Sequence, residues 1–113
     1  IEANWGLGES VVSGKSMIDY FVLGKANHEI RQKRIATKTV MVVMDDEKGF
    51  DRCERDVPEE KSKLPTLSEQ QLHELARLGE RVEADYGSCV DIEWAYQEGK
   101  LYVLQARTIR NLD

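Results

Sequence analysis

The 113-residue sequence predicts an α+β fold, an antiparallel sheet packed by one main helix. Three observations carry this expectation. β-Branched and aromatic runs recur between Ile18 and Met44, a capped apolar stripe runs from Ser68 to Tyr86, and apolar and acidic residues alternate from Val90 onward. Residues 1–113 read as a single unit, without an internal repeat or a low-complexity segment. Hydrophobic residues at 41% and charged residues at 33% support one modest core.

At the start, Trp5-Gly6-Leu7-Gly8 has two glycines bracketing a leucine and predicts a tight turn. Glu9 to Ser13 reads as a short helical turn ending at Gly14. Strands are expected at Ile18–Leu23, Glu29–Ile35 and Thr37–Met44, together making an antiparallel meander. The middle strand is the least typical, because its charged residues fall on both faces. Asp45–Thr66 is polar, broken by Gly49, Pro58 and Pro65, and reads as a long connection with a short extended piece at Arg55–Val57.

A helix is expected over 68–86. Ser68 and Gln71 have capping-box spacing, and Leu72, Leu75, Ala76, Gly79, Val82 and Tyr86 form one stripe. Gly87 supplies a left-handed stop. Arg77 with Glu80, and Arg81 with Asp85, are spaced for weak surface pairs.

The last element, over 90–107, is a hairpin. In its first strand Val90, Ile92 and Trp94 alternate with Asp91 and Glu93. A two-residue loop at Glu98-Gly99 would set the acidic residues and the Gln105–Arg107 pair on opposite faces of a regular ladder. A three-residue loop at Gln97-Glu98-Gly99, with Gly99 left-handed, would put Glu93 opposite Val103 and Asp91 opposite Gln105. The three-residue loop is the preferred reading, since it also gathers Ile92, Trp94, Tyr102 and Leu104 on an apolar face.

The polar face then carries Asp91, Glu93, Gln105 and Arg107. Carboxylate and amide oxygens are what a hard Mg²⁺ ion takes, with phosphate and water completing its octahedron. A guanidinium beside them can clamp a phosphate through two hydrogen bonds. Taken alone, the same pattern also suits an exposed hairpin face with ordinary surface charge.

These residues resemble a known family. Asp91-Ile92-Glu93-Trp94-Ala95 and Gly99-Lys100-Leu101-Tyr102-Val103-Leu104-Gln105-Ala106-Arg107 look like the end of the ATP-binding domain of phosphoenolpyruvate synthases. Pyruvate phosphate dikinases and rifampin phosphotransferases share the pattern more loosely. Trp5 to Gly14 resembles the family's upstream block, and Arg34–Lys38, Asp56-Val57-Pro58 and Leu75-Ala76-Arg77 follow in the family's order. The family resemblance implies the C-terminal subdomain of an ATP-grasp fold, using ATP and Mg²⁺. It implies Glu93 and Gln105 as metal and phosphate contacts, Asp91 as an acidic residue beside the metal, and Arg107 as a phosphate-binding arginine.

By the same resemblance, the parent enzyme transfers phosphoryl from ATP to a histidine on another domain. This chain would be an inactive piece of it, separated from the first half of the ATP-binding domain and from the phosphohistidine and acceptor domains. Two features depart from the pattern: Ile18-Asp19 replaces the usual Pro-Asp before Tyr20, and Thr108 replaces the proline after Arg107. A relative acting on a phenol or an antibiotic, or a noncatalytic interaction or regulatory module, are the rival readings.

Other signals are weaker. Gly8 to Ser16 mimics a P-loop, but five residues rather than four separate Gly8 from Gly14. His28 and His73 lack the glycine-rich surroundings of the family's phosphohistidine and are expected to be structural or exposed. Arg31, Lys33, Arg34 and Lys38 suit either phosphate attraction or strand-edge solubility. Cys53 and Cys89 have no metal-ligand spacing, the mark of idle thiols in a reducing cytoplasm. The net charge of -5 argues against nucleic acid and anionic membrane as partners, and no apolar run approaches the roughly 18 residues that span a bilayer. An opening without an initiator Met or a signal-peptide pattern suggests a cytoplasmic piece of a longer chain.

Overall fold

The computed structural model describes residues 1–7, 18–45 and 51–109. The expected helical turn at Glu9–Gly14 and the glycine-containing stretch 8–16 lie outside them. The order is β1 (Glu2–Ala3), β2 (Asp19–Leu23), β3 (Ile30–Arg34), β4 (Val40–Asp45), β5 (Asp51–Asp56), α1 (Glu59–Ser62), α2 (Glu69–Tyr86), β6 (Val90–Gln97) and β7 (Lys100–Thr108). The α+β class holds. Its strands form three antiparallel sheets, β1-β2-β3, β4-β5 and β6-β7.

The expected three-stranded meander is therefore corrected. β2 pairs with β3, but β4 turns away and pairs with β5. A buried anchor causes the diversion. Asp19 Oδ1 accepts from Lys38 Nζ at 2.7 Å and from the Ala36 N–H at 3.0 Å, while Oδ2 accepts from the Thr66 N–H and hydroxyl. The Lys38 N–H donates to the Ser62 carbonyl, so this stretch bonds to the 62–66 region and not to β3. Both Asp19 and Lys38 are fully buried.

Residues 45–66, expected as a connection, contain β5 and α1. Asp51–Asp56 reads DRCERD, a poor strand composition, and it becomes a strand because β4 offers a complete ladder from Val40↔Asp56 to Asp45↔Asp51. Gly6 docks this hairpin to the start of the chain. Its φ is +80°, and a Cβ there would lie 2.4 Å from the Val42 carbonyl oxygen, so only glycine permits the approach.

The helix forms as its caps dictate. Ser68 and Gln71 make the reciprocal capping box, and Gly87 closes the C-terminus at φ 71°. Leu72 and Leu75 are buried with Ala3, Phe21 and Leu67, and Trp94, Tyr96 and Leu101 pack against this cluster. Tyr86, expected on the packed stripe, is 51% exposed because the helix has by then passed the end of the core. α2 has 18 residues, and among the described residues no helix is long and apolar enough to cross a membrane.

Two electrostatic details tie the sheets to α2. His28 Nε2 lies 2.9 Å from Glu80 Oε1, and its ring is tilted against His73 at 6.3 Å. Both histidines are structural contacts. Tyr96 donates its hydroxyl to Glu74, and burial, assisted by that carboxylate, pushes its phenol well above the ordinary 10.0. A raised folded-state pKa gives a contribution that is whole below pH 10 and is lost as pH rises beyond it. Tyr96→Phe is expected to flatten the decline in stability between about pH 9 and about pH 11, measured by urea unfolding.

Candidate functional site

The hairpin brings the predicted polar residues together by a route the sequence reading did not foresee. Gln97 pairs with Lys100, so the loop has two residues, and the expected three-residue loop is corrected. Glu98 and Gly99 have φ of 53° and 78°, both left-handed, as a type I′ turn requires. Its twist matches that of the flanking strands, and this favours the tighter loop.

A regular two-residue hairpin would split the polar face. A β-bulge prevents that. The register runs Tyr96↔Leu101, Ala95↔Tyr102, Trp94↔Val103, then Glu93↔Gln105, Ile92↔Ala106 and Asp91↔Arg107. Leu104 is the extra residue, without a cross-strand partner and 62% exposed. One inserted residue exchanges the faces of everything beyond it, so Gln105 and Arg107 return to the side of Glu93 and Asp91. The pairs are Glu93 with Gln105 and Asp91 with Arg107, in place of the expected Glu93 with Val103 and Asp91 with Gln105.

The apolar face changes accordingly. Tyr102 opposes Ala95 on the polar side, while Val103 and Ala106 take the expected places of Tyr102 and Leu104 opposite Trp94 and Ile92, and Leu101 opposes Tyr96. Trp94 and Tyr96 meet edge to face at 5.9 Å.

Directly opposed side chains in an antiparallel pair have Cβ atoms about 4.5–5.5 Å apart, close enough for two oxygens to share one cation. Glu93 and Gln105 are both exposed, and among the described residues neither side chain has a hydrogen-bond partner. Arg107 is held loosely by Asp91, Nη2 to Oδ2 at 3.5 Å, with the two side chains 73% and 55% exposed. Such a contact orients the guanidinium at little energetic cost to separation, and a phosphate can displace it. Among the described residues no cluster of three or more His, Cys, Asp or Glu is placed to hold a metal ion. One carboxylate plus one amide oxygen instead suits Mg²⁺, which usually takes one or two protein carboxylates and leaves other positions to water and phosphate.

The basic residues of β3, and Lys38 beyond it, are divided among separate contacts. Arg31 bonds Glu29 at 3.3 Å, Arg34 stands over the Tyr20 ring at 5.4 Å, and Lys38 is buried against Asp19. Sequence reading missed Asp19 and Lys38 as a pair. The available signal was Asp19 itself, a charge in alternation with Phe21 and Leu23 on the apolar face of a strand. Cys53 and Cys89 are free thiols.

The turn carries a testable cost. A non-glycine residue in the left-handed region costs roughly 1–2 kcal/mol, less for asparagine. Glu98→Asn is therefore expected to stabilise the chain by about 0.5 kcal/mol in thermal unfolding, without altering the register below the bulge.

Comparison with known proteins places this geometry in context. The family described as "Pyruvate phosphate dikinase, AMP/ATP-binding domain" matches residues 1–113. A probable phosphoenolpyruvate synthase of Methanocaldococcus jannaschii is 46% identical over 112 residues, covering 99% of this chain and 9% of that protein. The prodigiosin synthesizing transferase PigC of Serratia marcescens is 39% identical, covering 96% of this chain and 12% of that protein. The rifampicin phosphotransferase of Bacillus cereus is 38% identical, covering 99% and 12% respectively. The chain thus spans about a tenth of the length of the curated relatives it matches.

Proposed function

Because the chain belongs to the pyruvate phosphate dikinase AMP/ATP-binding domain family, we propose that its β6–β7 hairpin forms the metal and phosphate face of an ATP-grasp site. In this reading the longer protein transfers phosphoryl from ATP to a histidine on another of its domains. The observation that carries the reading is the direct opposition of Glu93 and Gln105, with Asp91 and Arg107 one pair further along the same face.

Glu93 contributes negative charge and Gln105 a neutral oxygen, so together they would hold Mg²⁺ without trapping it. When bound, Mg²⁺ would supply charge neutralisation at the terminal phosphates. Asp91 keeps Arg107 aimed along the face until a phosphate takes the guanidinium. Sequence supplies the alternation, and the bulge turns it into a converging set of groups. The work of these four residues is positioning and charge neutralisation.

The acceptor is open to a second reading. Relatives named as synthases and relatives named as antibiotic or prodigiosin transferases match this chain at similar identity. A shared ATP-handling piece would produce that result whatever the acceptor. Restoring the flanking domains and following ATP-dependent phosphorylation of a histidine tests the reading. Loss of transfer in Glu93→Ala and Gln105→Ala with folding retained supports it, whereas full transfer in both sinks the metal assignment. The isolated chain is expected to bind ATP weakly, and a sub-micromolar affinity with Mg²⁺ would contradict its role as part of a divided site.

A further inference from the structure

The polar face of the hairpin continues past the Glu93–Gln105 pair toward the turn. There β6 carries Ala95 and Gln97 on that face, and β7 carries Tyr102 and Lys100 opposite them. The bulge at Leu104 is what brings Lys100, Tyr102, Gln105 and Arg107 to one side of the same strand.

Tyr102 is an aromatic side chain that core packing does not explain. The hairpin packs on the core through Trp94, Tyr96 and Leu101 from its other face. Tyr102 is 41% exposed, and among the described residues its hydroxyl has no hydrogen-bond partner. Its cross-strand neighbour, Ala95, has the smallest side chain on the face and leaves the ring uncovered. Lys100 makes the one described contact with that ring, its Nζ standing 5.3 Å from the centroid. Among the described residues Lys100 has no carboxylate partner. The ring therefore holds the ammonium over the polar face, where an unattached lysine would extend past the turn into water. An exposed contact of this kind is weak, so it places the ammonium without keeping it from a phosphate.

Along the face the order is Arg107, then Glu93 with Gln105, then Lys100 on Tyr102. That is a cation, a carboxylate–amide pair and a second cation. Successive pairs on one face lie about 7 Å apart, so both cations are within side-chain reach of a phosphate chain centred on the middle pair. A polyphosphate chelating a metal projects oxygens to both sides of it, and with Arg107 alone one side would lack a positive group.

We propose that Lys100 is a second phosphate-contacting cation of the nucleotide site, on the opposite side of the metal from Arg107, and that Tyr102 is its positioning residue. This assignment rests on the metal and phosphate reading of the same face. The ligand it fits is a metal-chelated polyphosphate.

The longer protein tests this, with histidine phosphorylation followed against MgATP concentration. Lys100→Gln is expected to raise the half-saturating MgATP concentration about tenfold, with the free Mg²⁺ midpoint and the melting temperature unchanged. Lys100→Arg, which keeps a cation able to stack on the ring, is expected to restore the wild-type value. Tyr102→Leu is expected to raise half-saturation about threefold and to add nothing to Lys100→Gln, because the ring acts through the lysine. A purely structural role would give neither the arginine rescue nor this lack of additivity. Unchanged half-saturation in Lys100→Gln, failure of rescue by Lys100→Arg, or fully additive effects of the two changes would overturn the proposal. Glu93→Gln measured alongside separates the two readings. A raised Mg²⁺ requirement there, with Lys100→Gln silent, removes Lys100 and leaves the metal face standing, whereas silence in both removes both.

Discussion

Lys38→Ala is expected to destabilise the chain by about 3–5 kcal/mol, enough to leave a marginal domain largely unfolded. The substitution removes the cation from a fully buried pair and leaves the Asp19 carboxylate without its charge partner. Chemical denaturation measures the loss directly. Apolar replacement of both partners often relieves a buried ion pair elsewhere. Here Asp19→Leu with Lys38→Met is expected to recover little, because Asp19 also accepts from the Ala36 N–H and from the Thr66 N–H and hydroxyl. Those three donors would lose their acceptor, at about 1–3 kcal/mol for each that stays buried. Recovery of wild-type stability in the double variant would show that the pair, and not the carboxylate network, holds this region.

Glu93→Gln is expected to lower phosphoryl transfer by the longer protein by about a hundredfold or more while leaving the melting temperature unchanged. The change keeps shape and removes one charge from an exposed side chain with no partner among the described residues. Its signature is a raised Mg²⁺ requirement, since the retained amide oxygen still ligates weakly. Rate loss at an unaltered Mg²⁺ midpoint would remove Glu93 from the metal site. Arg107→Lys tests a different part, because lysine keeps the charge but loses the planar fork that grips phosphate twice.

Legibility in the sequence followed the range of the forces involved. The α2 helix was readable residue by residue, because Ser68, Gln71 and Gly87 act within one turn of their own backbone. The four members of the candidate site were readable as a set, since alternation is local to each strand. Their pairing was not. The sequence pattern required an odd offset between the strands but did not tell a three-residue loop from a two-residue loop with a bulge. Twist favoured the second, and the extra residue appeared at Leu104. β5 was legible only as the short extended piece at Arg55–Val57, because DRCERD becomes a full strand only beside β4. Asp19 and Lys38 stand nineteen positions apart and meet only when the core closes.

The Leu104 bulge also limits how this hairpin can change length during descent or engineering. Deleting Leu104 alone would keep a plausible hairpin and turn Gln105 and Arg107 toward the helix. Adding one residue to the Glu98-Gly99 loop alone would do the same. Made together, the two changes cancel, and the polar face survives on a different loop. Related hairpins are thus expected to gain and lose single residues in compensating pairs, so that aligned gaps at the loop and near position 104 record a conserved parity and not a conserved length.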